Sequence, residues 1–396
     1  MMAETKKKPE KTNSTGKAKS KSTGKAAKKK RNRIILIAVE AAIIVVALIA
    51  AFVIWMMGQK GGNEGAGSNL ISTNVNKENL AVNEELETDN YWNIALFGVD
   101  SRTGVLGKGT LSDCIIVCSI NKETKEVKMV SVYRDTYLNI GNDTYNKANN
   151  AYSQGGPEQA IKMLNTNLDL DITSFATVDF SALVSVVDAI GGVTIDLTSE
   201  EITHLNNYQV ETSKVTNGKI ENVSGAGEHL LNGIQTVSYC RIRYTAGDDF
   251  KRTERQRHVI NLIIEKAKSM NPATLTKIIE EAFPKCATNI ELSQVLDLAK
   301  DVSSYKIVDT TGFPFDKKND ILGARGDCVI PMGLEQNVVQ LHKYLFGEEE
   351  NYAPTSSLKA INDKIINDTG VQAPVKSESA ETEADITSEA EDTTAE

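Results

Sequence analysis

Residues Cys114–Asp135 read "CIIVCSINKETKEVKMVSVYRD". Two apolar runs, "CIIVCSI" and "EVKMVSV", flank the polar turn "NKETKE", the pattern of two strands joined as a hairpin. Upstream, "NIALFGV" (93–99) is a further buried strand. Downstream, strands and helices alternate. "PEQAIKMLNTNL" (157–168) has helical spacing, with Pro157 at its start. "ITSFATV" (172–178) is strand-like, "FSALVSVVDAI" (180–190) is a helix stopped by Gly191-Gly192, and "VTIDL" (193–197) is a strand. A long amphipathic helix covers "RTERQRHVINLIIEKAKSM" (252–270). Helices follow at "PATLTKIIEEAF" (272–283) and "ELSQVLDLAKDV" (291–302), then a final strand "YKIVDTT" (305–311) and a final helix "GLEQNVVQLHKYLF" (333–346). Interleaved strands and helices predict an α/β fold with helices on both sheet faces, and the hairpin makes the sheet mixed.

The chain has 396 residues and formal net charge −9, unevenly spread. Residues 1–33 are rich in Lys, Ser, Thr and Gly without apolar periodicity and read as a disordered tail. Residues 34–57, "IILIAVEAAIIVVALIAAFVIWMM", are long enough to cross a bilayer as a helix, with Glu40 as the one ionisable residue. The basic flank is N-terminal, so the tail is expected in the cytoplasm and everything after Met57 outside. Residues 58–90 read as a linker, 91–367 as the folded domain and 368–396 as an acidic disordered tail. Beside a membrane helix, the basic tail suits anionic lipid headgroups rather than nucleic acid. The five cysteines form no CxxC pair and no zinc-spaced cluster, and their sparse, odd count is no disulfide scaffold, leaving at most a single bridge open.

Four polar clusters fall at strand ends or helix starts. "GVDSR" brings Asp100 and Arg102, "LSDC" Asp113, and "SVYRDT" Arg134 and Asp135, with Lys147 following. The fourth, "YCRIRYTAGDDFKRTERQRHV" (239–259), concentrates arginine in an acidic chain. Ligands of such sheets bind at strand ends. Paired carboxylates there suit Mg²⁺ beside phosphate, and guanidinium forks suit the phosphate itself. On a helix Arg252, Arg255 and Gln256 share a face. Arg241 and Arg243 point the same way if their segment is extended. Arg257 and His258 fall off that face and read as surface residues. Asp249 either caps the helix or orients Arg252.

In order and spacing, "DSR", "SD", "SVYRDT", "NKANNAYSQGG", "VDAIGGV" and "YCRIRYTAGDDFKRTERQ" resemble the LytR-CpsA-Psr family of bacterial envelope proteins over roughly Tyr91 to Met270. The resemblance implies a mixed sheet between helices with an apolar tunnel for a polyprenyl chain. It also implies transfer of a glycopolymer such as teichoic acid or capsule from a polyprenyl diphosphate carrier to a muramic acid hydroxyl of peptidoglycan. By position, Asp100 and Asp113 match the Mg²⁺ carboxylates. Arg134, Arg241, Arg243, Arg252 and Gln256 match the diphosphate-binding set, with Arg255 beside them. Arg102, Asp135 and Lys147 match further polar positions. On this reading Asp100, Asp113, Arg134, Asp135 and Arg252 carry the chemistry. A sensor that binds lipid-linked diphosphates without turnover, or a hydrolase using water as acceptor, would use the same parts. Three positions depart from the family. Tyr133 stands where a proline is usual, which would leave the strand exit less fixed. Cys114 replaces a threonine and Leu111 an arginine. The tunnel is expected beside Arg134 and Arg252, lined partly by Leu183, Val184 and Val187.

Overall fold

The computed structural model describes residues 75–374 apart from 85, 87, 89, 102–104, 244–247, 272–273, 275–277, 279–285, 291–303 and 348–351. The segments expected as basic tail and membrane helix, the end of the acidic tail, Arg102, and most of the two helices expected over 272–302 lie outside the described residues. Among the described residues no helix is long and apolar enough to cross a membrane.

In chain order the elements are β1 (Tyr91–Val99), β2 (Ser112–Asn121), β3 (Glu126–Val132), β4 (Tyr137–Asn139), β5 (Tyr145–Lys147), α1 (Asn149–Leu168), β6 (Ser174–Asp179), α2 (Phe180–Ala189), β7 (Val193–Leu197), α3 (Ser199–Thr216), β8 (Gly227–Leu231), α4 (Gly233–Arg241) and α5 (Asp248–Lys268). Then come β9 (Cys286–Thr288), β10 (Lys306–Phe313), β11 (Lys317–Ile321), β12 (Asp327–Pro331), α6 (Leu334–Phe346) and α7 (Ser356–Thr369). The main sheet runs β10-β3-β2-β1-β6-β9. Its β1–β2 and β2–β3 pairs are antiparallel, while β1–β6 and β3–β10 are parallel. The sheet is mixed, as the hairpin requires.

Alternation along each strand divides the core in two. Ile94 and Leu96 of β1, Ile116 and Cys118 of β2, and Val127 and Met129 of β3 face a layer that includes α2, α3 and α5. Ala95, Phe97, Ile115, Val117 and Val130 face α1, α6 and α7.

The structure corrects the sequence expectations in several places. The strand over 305–311 is not the last, since β11 and β12 follow, and α7 follows the helix over 333–346. α7 also runs past residue 367, the expected end of the domain. α3 and α4 carried no recognisable apolar stripe: α3 buries Gln209 and Thr212 beside Ile202 and Leu205. Their starts are fixed instead by capping boxes, Thr198 with Glu201 and Asn232 with Gln235. Arg241 therefore ends a helix rather than sitting on a strand.

Candidate active site

Asp113 owes its direction to a fault in the sheet. Gly98 pairs with Cys114, but the next residue, Val99, pairs with Ser112, so the register skips Asp113. Such a bulge re-aims the extra residue, and a side chain at Gly98 would press on the Cys114 Cβ. Asp113 and Asp100, which follows β1, both line the mouth of one cavity.

That cavity, about 680 Å³, lies on the α5 side of the sheet. Its wall is apolar: Ile116 of β2, Ala176 of β6, Leu183 and Val186 of α2, Val237 of α4, and Ile260 and Ile263 of α5. Its mouth carries Asp100, Asp113, Arg134, Arg241, Arg243, Arg252 and Gln256. Seven sequence candidates thus converge on one opening. Leu183 lines the wall as expected, but Val184 and Val187 do not. Val187 is sealed in the core. Val184 faces α4, where Gly233 leaves room for its backbone and any Cβ would collide.

The charges form a linked network. Arg134 Nη1 donates to Asp113 Oδ1 at 2.6 Å and Nε to Asp135 Oδ2 at 3.2 Å. Lys147 Nζ holds the other Asp135 oxygen at 3.0 Å. Both oxygens of Asp135 are therefore ion-paired, one to Arg134 and one to Lys147. Burial pulls the Arg134 guanidinium down, yet the carboxylates of Asp113 and Asp135 outweigh this and hold its pKa above the ordinary value. Asp249 sits between three arginines, with Arg252 Nη2 at 2.9 Å, Arg134 Nε at 3.8 Å and Arg243 Nε at 4.0 Å. It orients Arg252, one of its two expected roles. Burial raises the Asp249 pKa against the pull of Arg252 and Arg134.

Arg252 is 2% exposed. Beyond Asp249, its Nη2 reaches, among the described residues, only the carbonyl of Asp113, at 3.4 Å. Its Nε and Nη1, and Oε1 of Gln256, are buried without a hydrogen-bond partner among the described residues. Burial lowers the Arg252 pKa. Buried donors are almost always satisfied, so the two Arg252 nitrogens are set for a ligand with oxygen acceptors, while Gln256 Oε1 calls for a donor. Arg241 is packed over the rings of Phe180 and Tyr208 at 4.9 and 5.4 Å and donates to Glu211 and Thr212. The partners on α3 were hidden in sequence because that helix was.

Two candidates change role. Arg255 does not face the cavity: its Nε donates to Glu201 at 2.9 Å and its Nη1 to the carbonyl of Ile242 at 3.2 Å, tying α5 to α3. Arg257, expected at the surface, is buried, with Nη1 on Ser131 Oγ at 2.7 Å. Tyr133 does not loosen the strand exit; it is buried and packed edge-on against Phe250. Cys114 and Cys240 both line the cavity, and none of the five cysteines is joined in a disulfide. Burial pushes the Cys114 thiol up to about 12.

Asp100 and Asp113 fit Mg²⁺ in donor chemistry: two hard carboxylates, one just past β1 and one on β2, line the same cavity, and Mg²⁺ takes one or two carboxylates with phosphate oxygens and water. Among the described residues there is no cluster of three or more His, Cys, Asp or Glu suited to hold a metal by itself.

The family model described as the LytR_cpsA_psr family matches residues 55–336. A curated relative, the polyisoprenyl-teichoic acid–peptidoglycan teichoic acid transferase TagV of Bacillus subtilis (strain 168), is 31% identical over 243 residues, which is 59% of this chain and 59% of that protein. The matched stretch is thus less than two thirds of TagV's length. The corresponding transferase TagU of Bacillus licheniformis is 30% identical over 66% of this chain and 80% of its own. The crystal structure of B. subtilis TagV superposes with TM-score 0.51 at 26% identity, covering 67% of this chain and 99% of that one.

Proposed function

The chain belongs to the LytR-CpsA-Psr family, and from that premise we propose that it is a phosphotransferase moving a glycopolymer from a polyprenyl diphosphate carrier to peptidoglycan. The observation that carries this reading is the pair of buried Arg252 donors, Nε and Nη1, that have no partner among the described residues at the mouth of an apolar cavity. A diphosphate supplies the missing acceptors and a polyprenyl chain fills the void. The reading is further supported by the curated names of TagV and TagU.

In the proposed reaction an acceptor hydroxyl attacks the sugar-proximal phosphorus. The bond from that phosphorus to the bridging oxygen breaks, and polyprenyl monophosphate leaves. Arg252, Arg243 and Arg134 surround the charge that grows on the transferring and leaving oxygens, where most catalysis of phosphoryl transfer lies. Their carboxylate partners, Asp249 and Asp135, hold the guanidinium planes before the ligand arrives. Asp100 and Asp113 would hold Mg²⁺, which neutralises phosphate charge when bound. The apolar wall keeps the prenyl chain aligned and excludes water from one side. The run Ile34–Met57 with its basic flank supports anchoring in the cell membrane with the domain outside. Protease added to intact protoplasts should then degrade the domain, and protection would refute that orientation.

The test is direct. Full-length protein is incubated with a polyprenyl diphosphate glycan, peptidoglycan fragments and Mg²⁺. Glycan joined to the wall fragment supports the transferase. Binding without transfer supports a sensor, and release of free glycan phosphate supports a hydrolase.

A further inference from the structure

The charged mouth is built in two halves on different elements. Arg134 and Asp135 hang from the exit of β3, while Asp249 and Arg252 occupy the first turns of α5. The halves meet where Arg134 Nε stands 3.8 Å from Asp249 Oδ1. An aromatic ring adjoins each half. Tyr133 immediately precedes Arg134, and Phe250 lies between Asp249 and Arg252. The two rings touch edge to face, with centroids 4.6 Å apart and planes at 72°.

Tyr133 is held from every side. Lys317 of β11 lies over both rings, 5.2 Å from Tyr133 and 4.9 Å from Phe250. Gly312 of β10 leaves the space its hydroxyl occupies, where any Cβ would collide. Its N–H donates to the Phe313 carbonyl at 3.0 Å. Its own carbonyl accepts from Thr136 N at 2.9 Å and Thr136 Oγ1 at 2.6 Å. Two residues upstream, Arg257 Nη1 donates to Ser131 Oγ at 2.7 Å. Helix α5 therefore grips the end of β3 at two points. Neither ring is among the residues lining the cavity, so any effect on a ligand passes through the neighbouring charges.

Resting on the diphosphate reading above, we infer that Tyr133 and Phe250 are positioning residues whose contact sets the spacing between the strand-borne and helix-borne halves of the anion cradle. An aromatic wedge is suited to this: it is stiff, has few rotatable bonds, and is directional in its edge-to-face geometry. Without it Arg134 and Arg252 would keep their charge but lose their common focus.

The experiment measures binding of farnesyl diphosphate in Mg²⁺ by full-length protein, normalised to the folded fraction, alongside glycan transfer. Tyr133→Ala and Phe250→Ala should each weaken binding about three- to tenfold, the worth of an edge-to-face pair. Tyr133→Phe should stay within about twofold of wild type, because the ring contact survives. The double variant should bind no worse than the weaker single one, since both remove one shared contact. Should either alanine variant fail to fold, Tyr133→Leu keeps most of the buried apolar volume without the ring and should weaken binding likewise. Wild-type affinity in Tyr133→Ala or Tyr133→Leu, additive losses in the double variant, or failure of Tyr133→Phe to restore binding would overturn the inference. A wild type that binds but transfers nothing refutes the transferase reading while the affinity series still decides the spacer. A wild type that does not bind refutes both.

Discussion

Replacing Arg252 with methionine should separate the ligand's contribution from that of the fold. Each buried donor left unmade costs about 1–3 kcal/mol, and Arg252 has two, Nε and Nη1. Methionine keeps an unbranched apolar stem of comparable reach and removes both. Against this stands the loss of the contact to Asp249 at 2.9 Å, a charged hydrogen bond worth about 1.5–3 kcal/mol. Asp249 would not be abandoned, because Arg134 at 3.8 Å and Arg243 at 4.0 Å remain. The two unmade donors, about 2–6 kcal/mol together, offset that loss or outweigh it. Without ligand, Arg252→Met should therefore match wild type or exceed it by about 1 kcal/mol. Transfer should fall about a hundredfold, equivalent to ~3 kcal/mol in the barrier. The assay is urea unfolding with and without a polyprenyl diphosphate analogue. At a hundred times Kd the wild type should gain about 2.7 kcal/mol from the ligand, and the variant little. Destabilisation of the ligand-free variant by ~3 kcal/mol or more, the usual cost of breaking a buried pair, would show that Arg252 serves the fold. So would an undiminished ligand-induced gain.

Leu183→Trp should obstruct part of the apolar wall, so a long-chain polyprenyl diphosphate loses at least about tenfold in affinity, or ~1.4 kcal/mol, while inorganic pyrophosphate binds as before. Equal loss for both probes would count against a separate lipid slot. Asp113→Asn removes a metal carboxylate and the partner of Arg134 at 2.6 Å; transfer should drop about a hundredfold and become insensitive to EDTA, and wild-type activity in EDTA would rule out the metal role. Arg255→Ala should cost about 3 kcal/mol of stability by stranding Glu201, yet leave analogue affinity per folded molecule unchanged; a selective loss of affinity would return Arg255 to the site. Burial pushes the Glu201 carboxyl up, but the Thr198 N–H and the Arg255 guanidinium outweigh it, so its pKa lies below the ordinary value. A depressed folded pKa gives stability that is present above the unfolded value of about 4.3 and is lost as pH falls through the folded one. Below about pH 5 wild type should therefore lose urea resistance faster than Glu201→Gln, and parallel curves would refute the pairing.

Sequence patterning revealed most of the sheet because β1, β2, β3 and β6 are continuous apolar runs bounded by polar turns. It revealed Asp100, Asp113 and Arg134 because charged residues at strand ends are few and of complementary sign. It failed at α3, whose buried face includes Gln209 and Thr212, polar residues satisfied by specific partners rather than by periodicity. Helix phase alone also misplaced Arg255. Consecutive residues diverge by about 100° around a helix, so Gln256 reaches the cavity while Arg255 turns to Glu201. Three-residue spacing cannot say which neighbour lies across each arc. Arg257 shows the same limit: nothing local announces that Ser131, far upstream in sequence, waits beneath it.

The division of the sheet into two cores bears on how such a chain can change over generations. Ile116 floors the cavity, while its neighbours Ile115 and Val117 point into the sealed core on the opposite face. Tolerance to mutation should therefore alternate over Cys114–Val117, since Cys118 and Ile120 lie in sealed core beyond the cavity. At one set of positions a change of side-chain size alters which chain fits. At the interleaved set the same change threatens folding itself. Substitutions at Cys114 and Ile116 would thus reshape the cavity while the packing on the opposite face stays in place.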